Sequence, residues 1–192
     1  MLDLFFQMDK NLLIFINRSL SNPVFDFIMP LFDRSANFVI PLLIVWIILL
    51  VKDRKNRLRL AVLIPLVIIL CDQTGSFIKG FELRMRPWYG LGSDVIHHLG
   101  SSGGKHKSFP SNHAANIAGV AVIFSWLYHK YKSLFWSIAG LIMFSRIYIG
   151  VHYPADVMAG AVIGVGYGMM LTILWKYAEK LLSEHRQNNI PG

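Results

Sequence analysis

The sequence is poor in the groups that hold water-soluble and secreted domains together. Among 192 residues there is one cysteine, Cys71. A single thiol excludes an intramolecular disulfide, and its place inside an apolar block reads as lipid- or helix-facing packing. Charged residues are only 16% of the chain, and acidic residues number 11 against 19 basic. A basic excess can signal nucleic acid. Here the basic residues sit in short loops between apolar blocks, as membrane topology requires. A nucleic-acid partner is therefore not expected. The opening residues, Met1 to Phe6, lack a basic lead and a small-residue cleavage site, so no cleavable signal is expected.

Apolar residues are abundant. They make up 54% of the sequence, and the mean hydropathy is +0.47. They fall into blocks of roughly 16–23 residues with charged flanks, lengths suited to membrane-crossing helices. The length suits one helical domain. The expected fold is all-α, a polytopic transmembrane helical bundle of five or six spans. A single domain is expected over residues 1–192, with an interfacial N-terminal region (1–35), a transmembrane core (36–177) and a cytoplasmic tail (178–192).

Residues 2–20 read as an amphipathic helix. Leu4, Phe5, Met8, Leu12, Phe15 and Ile16 recur at helical spacing, with Asp9, Lys10 and Asn11 between them. The segment is too polar to span and is expected along the interface. Ser21, Asn22 and Pro23 break it, and residues 24–31 read as a second interfacial piece. Spans follow at about 36–51, 60–79, 112–128, 134–150 and 154–177. The loop from Lys52 to Arg59 is strongly basic, and a second basic loop runs from His129 to Lys132. Both mark cytoplasmic ends. Five spans put the N-terminus outside; six put both ends inside. Asp72 in the second span is expected to make interhelical hydrogen bonds. Gly160, Gly164 and Gly168 share one face of the last span, and core packing is expected there rather than dimerisation.

Three polar constellations then fall at one membrane face. Lys79, Arg84 and Arg86 cluster after the second span. Arginine offers a planar fork for phosphate oxygens and lysine a mobile point charge. Snorkelling at the interface is the plainer explanation. The run Phe109-Pro110-Ser111-Asn112-His113 opens the third span. Ser111 fits a helix cap, and the free N–H groups of such a turn favour anions. The run from Ser145 to Asp156 joins the last two spans. Pro154 suits the first turn of a helix, which puts Asp156 in that turn and His152 just outside it. A carboxylate-oriented histidine beside an arginine makes an activated nucleophile next to an anion site. The alternative is a solvated polar hinge. Three unrelated caps would have no reason to share this chemistry, yet the topology brings all three to the same face.

The order Lys79-x6-Arg86-Pro87, then Pro110-Ser111-x-His113, then Ser145-Arg146-x5-His152-x3-Asp156 resembles the type 2 phosphatidic acid phosphatase superfamily, the lipid phosphate phosphatases. One departure is Asn112, where the family usually has glycine. Asparagine tolerates unusual backbone angles, so the loop is expected to survive and any effect to fall on substrate preference.

The resemblance implies a metal-independent enzyme without cofactor, acting on a membrane lipid phosphate. It implies that His152 attacks phosphorus to form a phosphohistidine and that Asp156 orients it. It also implies that His113 protonates the leaving oxygen. Lys79, Arg86, Ser111, Asn112 and Arg146 bind the phosphoryl group, with Arg84 a further candidate. Undecaprenyl diphosphate, phosphatidylglycerol phosphate, phosphatidic acid and lipid A are all family substrates. A bacterial inner-membrane location with a periplasmic site is expected; the oligomeric state is not readable. A phosphotransferase using the same site, a metal enzyme drawing on His97, His98, His106, His113 and His152, a haloperoxidase-like chemistry and a lipid transporter are the rivals. Residues 90–107 read as a mobile lid or a solvated loop, with His97 and His98 facing solvent.

Overall fold

The computed structural model describes residues 2–33, 35–101 and 103–188. Arg34, Ser102 and the last four residues of the expected tail lie outside the described residues. The elements are α1 (Leu2–Ile14), α2 (Pro23–Ile28), α3 (Ser35–Lys52), α4 (Arg57–Lys79), the single-turn α5 (Pro87–Gly90), α6 (Asn112–Leu127), α7 (Lys132–Tyr148) and α8 (Pro154–Asn188). The all-helical expectation holds: the described residues contain no strand, only an isolated bridge between Arg84 and Lys107.

Local chemistry sets the boundaries. Asn22 caps α2, its side chain accepting the N–H groups of Val24 and Phe25, and Pro23 fills the first helical position. Ser111 caps α6 by accepting from the N–H of Ala114. Asp53 closes the α3–α4 turn by accepting from Asn56, and Tyr128 donates to it at 2.7 Å.

Among the described residues, two helices, Arg57–Lys79 and Pro154–His185, are long and apolar enough to cross a bilayer. The helices α6 and α7 have 16 and 17 residues, lengths of about 25 Å at the α-helical rise against a hydrocarbon core of about 30 Å. The apolar stretch of α3, Val39–Lys52, is also short. Much apolar surface is left uncovered, including Ile40, Leu43, Ile44 and Ile47 on α3 and Val162, Met169 and Ile173 on α8. A face of that kind suits lipid as its solvent.

The core is the α4–α6–α8 bundle, built on Leu60, Leu63, Ile64, Val67, Cys71, Ala115, Ile123 and Leu171. Cys71 is thus helix-facing. The glycine stripe of α8 packs within the chain, as expected. A Cβ at Gly164 would stand 2.0 Å from the carbonyl oxygen of Ala115, and one at Gly160 would stand 2.3 Å from that of Ser111. The two helix backbones touch, which no larger residue permits.

The N-terminal elements form a second layer. α1 continues through a π turn at Phe15–Ser19. It exposes Leu4, Phe5, Met8, Leu12 and Phe15 while burying Asp9, Leu13 and Asn17, the pattern expected of an interfacial helix. Asn17 donates to the carbonyls of His97 and Tyr148 and accepts from the His97 N–H. One asparagine thereby ties α1 to the long connection and to the end of α7.

That connection is fastened down, not free. Arg86 and Ser108 hydrogen-bond through their N–H groups to the carbonyls of Lys105 and Arg84, and the Leu99 N–H donates to Ile149. His97 and His98 are half-buried rather than fully solvent-facing. His97 is bonded through its backbone to Asn17 and its ring lies 3.2 Å from Ser21 Oγ. His98 stacks on Trp88 at 5.1 Å. Two adjacent histidines on a polar loop read as solvated from sequence because their cover, residues 17–21 for His97 and Trp88 for His98, is brought to them by the tertiary fold.

Candidate active site

The link between α7 and α8 is five residues long, Ile149 to Tyr153, and its path needs a glycine. Gly150 has a φ of +76°, and a Cβ there would come within 2.5 Å of Ile96. The turn folds the N–H groups of Val151 and His152 back onto the carbonyl of Arg146. Arg146 and His152 are thereby fixed side by side at the end of α7, with exposures of 1% and 3%.

Asp156, fully buried in the first turn of α8, is the hub. Its Oδ2 accepts from Ser108 Oγ at 2.6 Å and from the Tyr153 N–H at 2.9 Å. Its Oδ1 accepts from Arg84 Nη1 at 3.0 Å. His152 Nδ1 faces Oδ2 at 3.7 Å. That distance is within ion-pair reach but too long for a hydrogen bond, and the ring nitrogen has no other partner. Catalytic hydrogen bonds of this type are often long without substrate and tighten with it. Burial pushes the His152 pKa down to about 4; the Asp156 carboxylate opposes this, and Arg86 and Lys79 add to it. The imidazole is therefore neutral at pH 7, with Nδ1 toward the carboxylate and Nε2 left to act on a ligand.

The cations converge as the topology requires. Arg86 donates from Nε to the Gly104 carbonyl at 3.1 Å and from Nη1 to that of Val151 at 3.4 Å, which holds its guanidinium beside the His152 link. Arg146 Nη1 meets Asp33 Oδ1 at 3.0 Å. Asp33 also accepts from the Ser101 N–H. Burial raises the Asp33 pKa, but Ser101 and Arg146 outweigh it and keep the carboxyl below its usual range. A cavity of about 330 Å³ opens beside Asp33, lined by Pro30, Leu31, Leu99, Gly100 and Ser101. His113, in the first turn of α6, lies within electrostatic reach of Arg146, His152 and Lys79. The backbone N–H of Ser111 donates to the Asp156 carbonyl at 3.0 Å, joining the starts of α6 and α8.

Asn112 does not need unusual backbone angles. It lies in the first turn of α6, and its φ is not positive. Its side chain is what the position uses. Lys79 Nζ donates to Asn112 Oδ1, while Asn112 Nδ2 donates to Asp72 at 3.2 Å. Asn116 donates to the same carboxylate at 3.0 Å. Asp72 is thus an interhelical acceptor, as expected. Gly75 makes the room, since a Cβ there would stand 2.3 Å from Asn112 Oδ1.

Lys79, Arg86, Ser111, Asn112, His113, Arg146, His152 and Asp156 therefore gather around one region. Arg84 does not join the other three cations. It lies behind Asp156, its guanidinium 3.6 Å over the Tyr153 ring and its Nη2 on Asp9 at 2.6 Å. Asp9, Asp33 and Ser108 were not singled out from sequence as parts of this region. Ser108 lies two residues before the Pro110 motif, the one hint available; nothing in the sequence ties residues 9 and 33 to residues 84–156. Among the described residues, no group of three or more His, Cys, Asp or Glu is placed to hold a metal ion.

Comparison with known proteins identifies the family. A family model described as the PAP2 superfamily matches residues 58–180. A lipid A 4'-phosphatase of Bacteroides thetaiotaomicron is 31% identical, over 100% of this chain and 87% of that protein. The crystal structure of Aquifex aeolicus LpxE aligns with a TM-score of 0.69 at 27% identity, covering 84% of this chain and 93% of that one. The transmembrane PAP2-type phosphatidylglycerolphosphate phosphatase of Bacillus subtilis shares the fold at a TM-score of 0.67 and 22% identity, over 89% and 86% of the two chains. The lipid-phosphatase class implied by the three motifs and the membrane character read from the apolar blocks are borne out, and the chain belongs to the PAP2 superfamily.

Proposed function

We propose that this protein removes a phosphate group from a membrane lipid through a phosphohistidine on His152, with lipid A-type phosphates the first substrates to try. The observation that carries the mechanism is the buried Asp156 carboxylate, fixed by Ser108, Arg84 and the Tyr153 N–H, with its Oδ2 turned to His152 Nδ1. A carboxylate so held keeps the neutral ring in one tautomer and stabilises the cation that forms on attack.

In this reading His152 Nε2 forms the bond to phosphorus, and the bond from phosphorus to the lipid oxygen breaks. His113 gives that oxygen its proton. Water then attacks phosphorus, His113 takes the proton from water, and the N–P bond breaks to release inorganic phosphate. Lys79, Arg86, Arg146 and the N–H groups at the start of α6 hold the phosphoryl oxygens as charge develops on them. Asn112 acts through Lys79, whose ammonium it holds. The lipid A preference rests on the full-length likeness to the Bacteroides enzyme. A site on the periplasmic face of a bacterial inner membrane is part of this reading, supported by the two short basic loops at the opposite helix ends.

The test is phosphate release by purified protein from lipid A, undecaprenyl diphosphate, phosphatidylglycerol phosphate and phosphatidic acid, with chelator present, for the parent and His152→Ala. Release by the parent alone, with trapped phosphate absent from the variant, is the expected result. Retained turnover in His152→Ala removes the nucleophile assignment. Adding acceptor lipid separates hydrolysis from phosphate transfer.

A further inference from the structure

The N-terminal helix exposes its apolar residues yet buries a carboxylate: Asp9 is 6% exposed. One of its oxygens meets the segment that carries Asp156, and the other meets an arginine bound to Asp156. Oδ1 accepts from the N–H of Ala155 at 2.8 Å, the residue immediately before Asp156. Oδ2 accepts from Arg84 Nη2 at 2.6 Å, and the other arm of the same guanidinium donates to Asp156 Oδ1 at 3.0 Å. Tyr153 supports this arginine from below, 3.6 Å from its ring centre. The row Asp9–Arg84–Asp156 ends where Asp156 Oδ2 faces His152.

The charges in this row are two carboxylates and one guanidinium. With Arg84 paired to Asp156 alone, the cation would cancel much of the carboxylate charge that the histidine needs. Sharing Arg84 with Asp9 leaves Asp156 anchored but still net negative toward His152. Asp9 lies outside residues 58–180, the part matched by the family model.

We propose that Asp9 is a positioning residue for the His152–Asp156 pair, holding the Asp156 carboxylate in place through Arg84 and the Ala155 N–H and moderating the charge it receives. The role rests on the reading of His152 as nucleophile. Neither Asp9 nor Arg84 touches the phosphate in this scheme. The lipid-facing helix α1 is thereby joined directly to the reaction centre.

Asp9→Asn keeps an oxygen for the Ala155 N–H and removes the charge; Arg84→Met removes the cation. With bis-phosphorylated lipid A in detergent micelles, Asp9→Asn is expected to lower kcat about tenfold, the scale seen when outer partners of a functional group are lost, with KM unchanged. Histidine ¹⁵N NMR of the full chain in nanodiscs reads the same role without turnover. The groups around His152 are Asp156 from α8, Arg146 beside it at the end of α7, Lys79 from α4, Arg86 from the long connection and His113 from α6, with Arg84 and Asp9 behind Asp156. Loss of Asp9 leaves Arg84 uncompensated and moves the His152 titration to lower pH. Loss of Arg84 moves it to higher pH.

Opposite shifts uphold the proposal. A folded Asp9→Asn protein with the parent's His152 titration overturns it, because a purely structural anchor would change only stability. Should Asp9→Asn not fold, Asp9→Glu decides: a displaced titration upholds the role, and parent values overturn it. His152→Ala keeps the two readings apart. If it turns over substrate, the nucleophile assignment fails; if it is dead while Asp9→Asn matches the parent, only the positioning role fails.

Discussion

The α4–α6–α8 bundle and the layer before it, from α1 to Asp33, are held together in different ways. The bundle is held by backbone approach along Gly160, Gly164 and Gly168. The N-terminal layer combines apolar contacts at Leu13 and Met29 with polar side chains that cross to other parts of the chain, the buried Asp9 and Asn17 and the half-buried Asp33. Lipid is as apolar as leucine, so apolar faces alone give helices little reason to associate in a bilayer. Close packing solves that problem inside the bundle. Directed hydrogen bonds solve it for the outer layer and also set the positions of the loops that carry the chemistry.

The comparison can be broken most severely at Gly164. Gly164→Leu would drive a side chain into the Ala115 carbonyl. Loss of the folded protein is expected, at a cost of about 3 kcal/mol or more, seen as aggregation in size-exclusion chromatography in detergent. A folded, active variant would show that the helix contact is not what holds the bundle. Arg146→Lys tests the outer layer's grip on the site. Lysine can keep the charge on Asp33 but not the planar fork, and kcat/KM should fall about 10²- to 10³-fold with little change in melting temperature.

Asn17→Ala sharpens the contrast in stability. It removes the donors to the His97 and Tyr148 carbonyls and the acceptor for the His97 N–H. Leaving buried groups unpaired should cost about 2–4 kcal/mol, read as a lowered melting temperature with the bundle still helical by circular dichroism. A graded effect comes from pH. His152 is neutral in the folded protein, with its pKa lowered from 6.5 to about 4. The unfolded chain therefore binds the extra proton first, and this contribution to stability is lost as pH falls from about 6.5 to about 4. His152→Asn should flatten that part of the stability profile. An unchanged slope would assign the acid sensitivity to other groups.

The site was largely legible in the sequence because its motif residues sit at helix ends whose order and direction follow from apolar blocks and basic loops. Lys79, Ser111, Arg146, His152 and Asp156 could be placed on one face by counting spans. The packing role of Gly160, Gly164 and Gly168 was legible from spacing alone. The partners of the site residues were not. Arg84 looked like a third phosphate cation because a short basic cluster does not reveal which way each side chain turns. Asp9 and Asp33 gave no signal, since each meets its partner across the tertiary fold. Asn112 was read as a backbone accommodation, whereas its amide bridges Lys79 to Asp72 in space cleared by Gly75.

The hydrogen bond from the Ser111 N–H to the Asp156 carbonyl has a mechanical consequence. It closes the glycine seam between α6 and α8 at its outermost point. The helix starts that carry His113 and Asp156 consequently form one rigid jaw, with no joint between them. Any widening of the site falls on the opposing side, where Asp33 and the Arg86 connection are fastened by separate hydrogen bonds, to Arg146 and Ser101 and to Gly104, Val151 and Lys105, that can be exchanged one at a time.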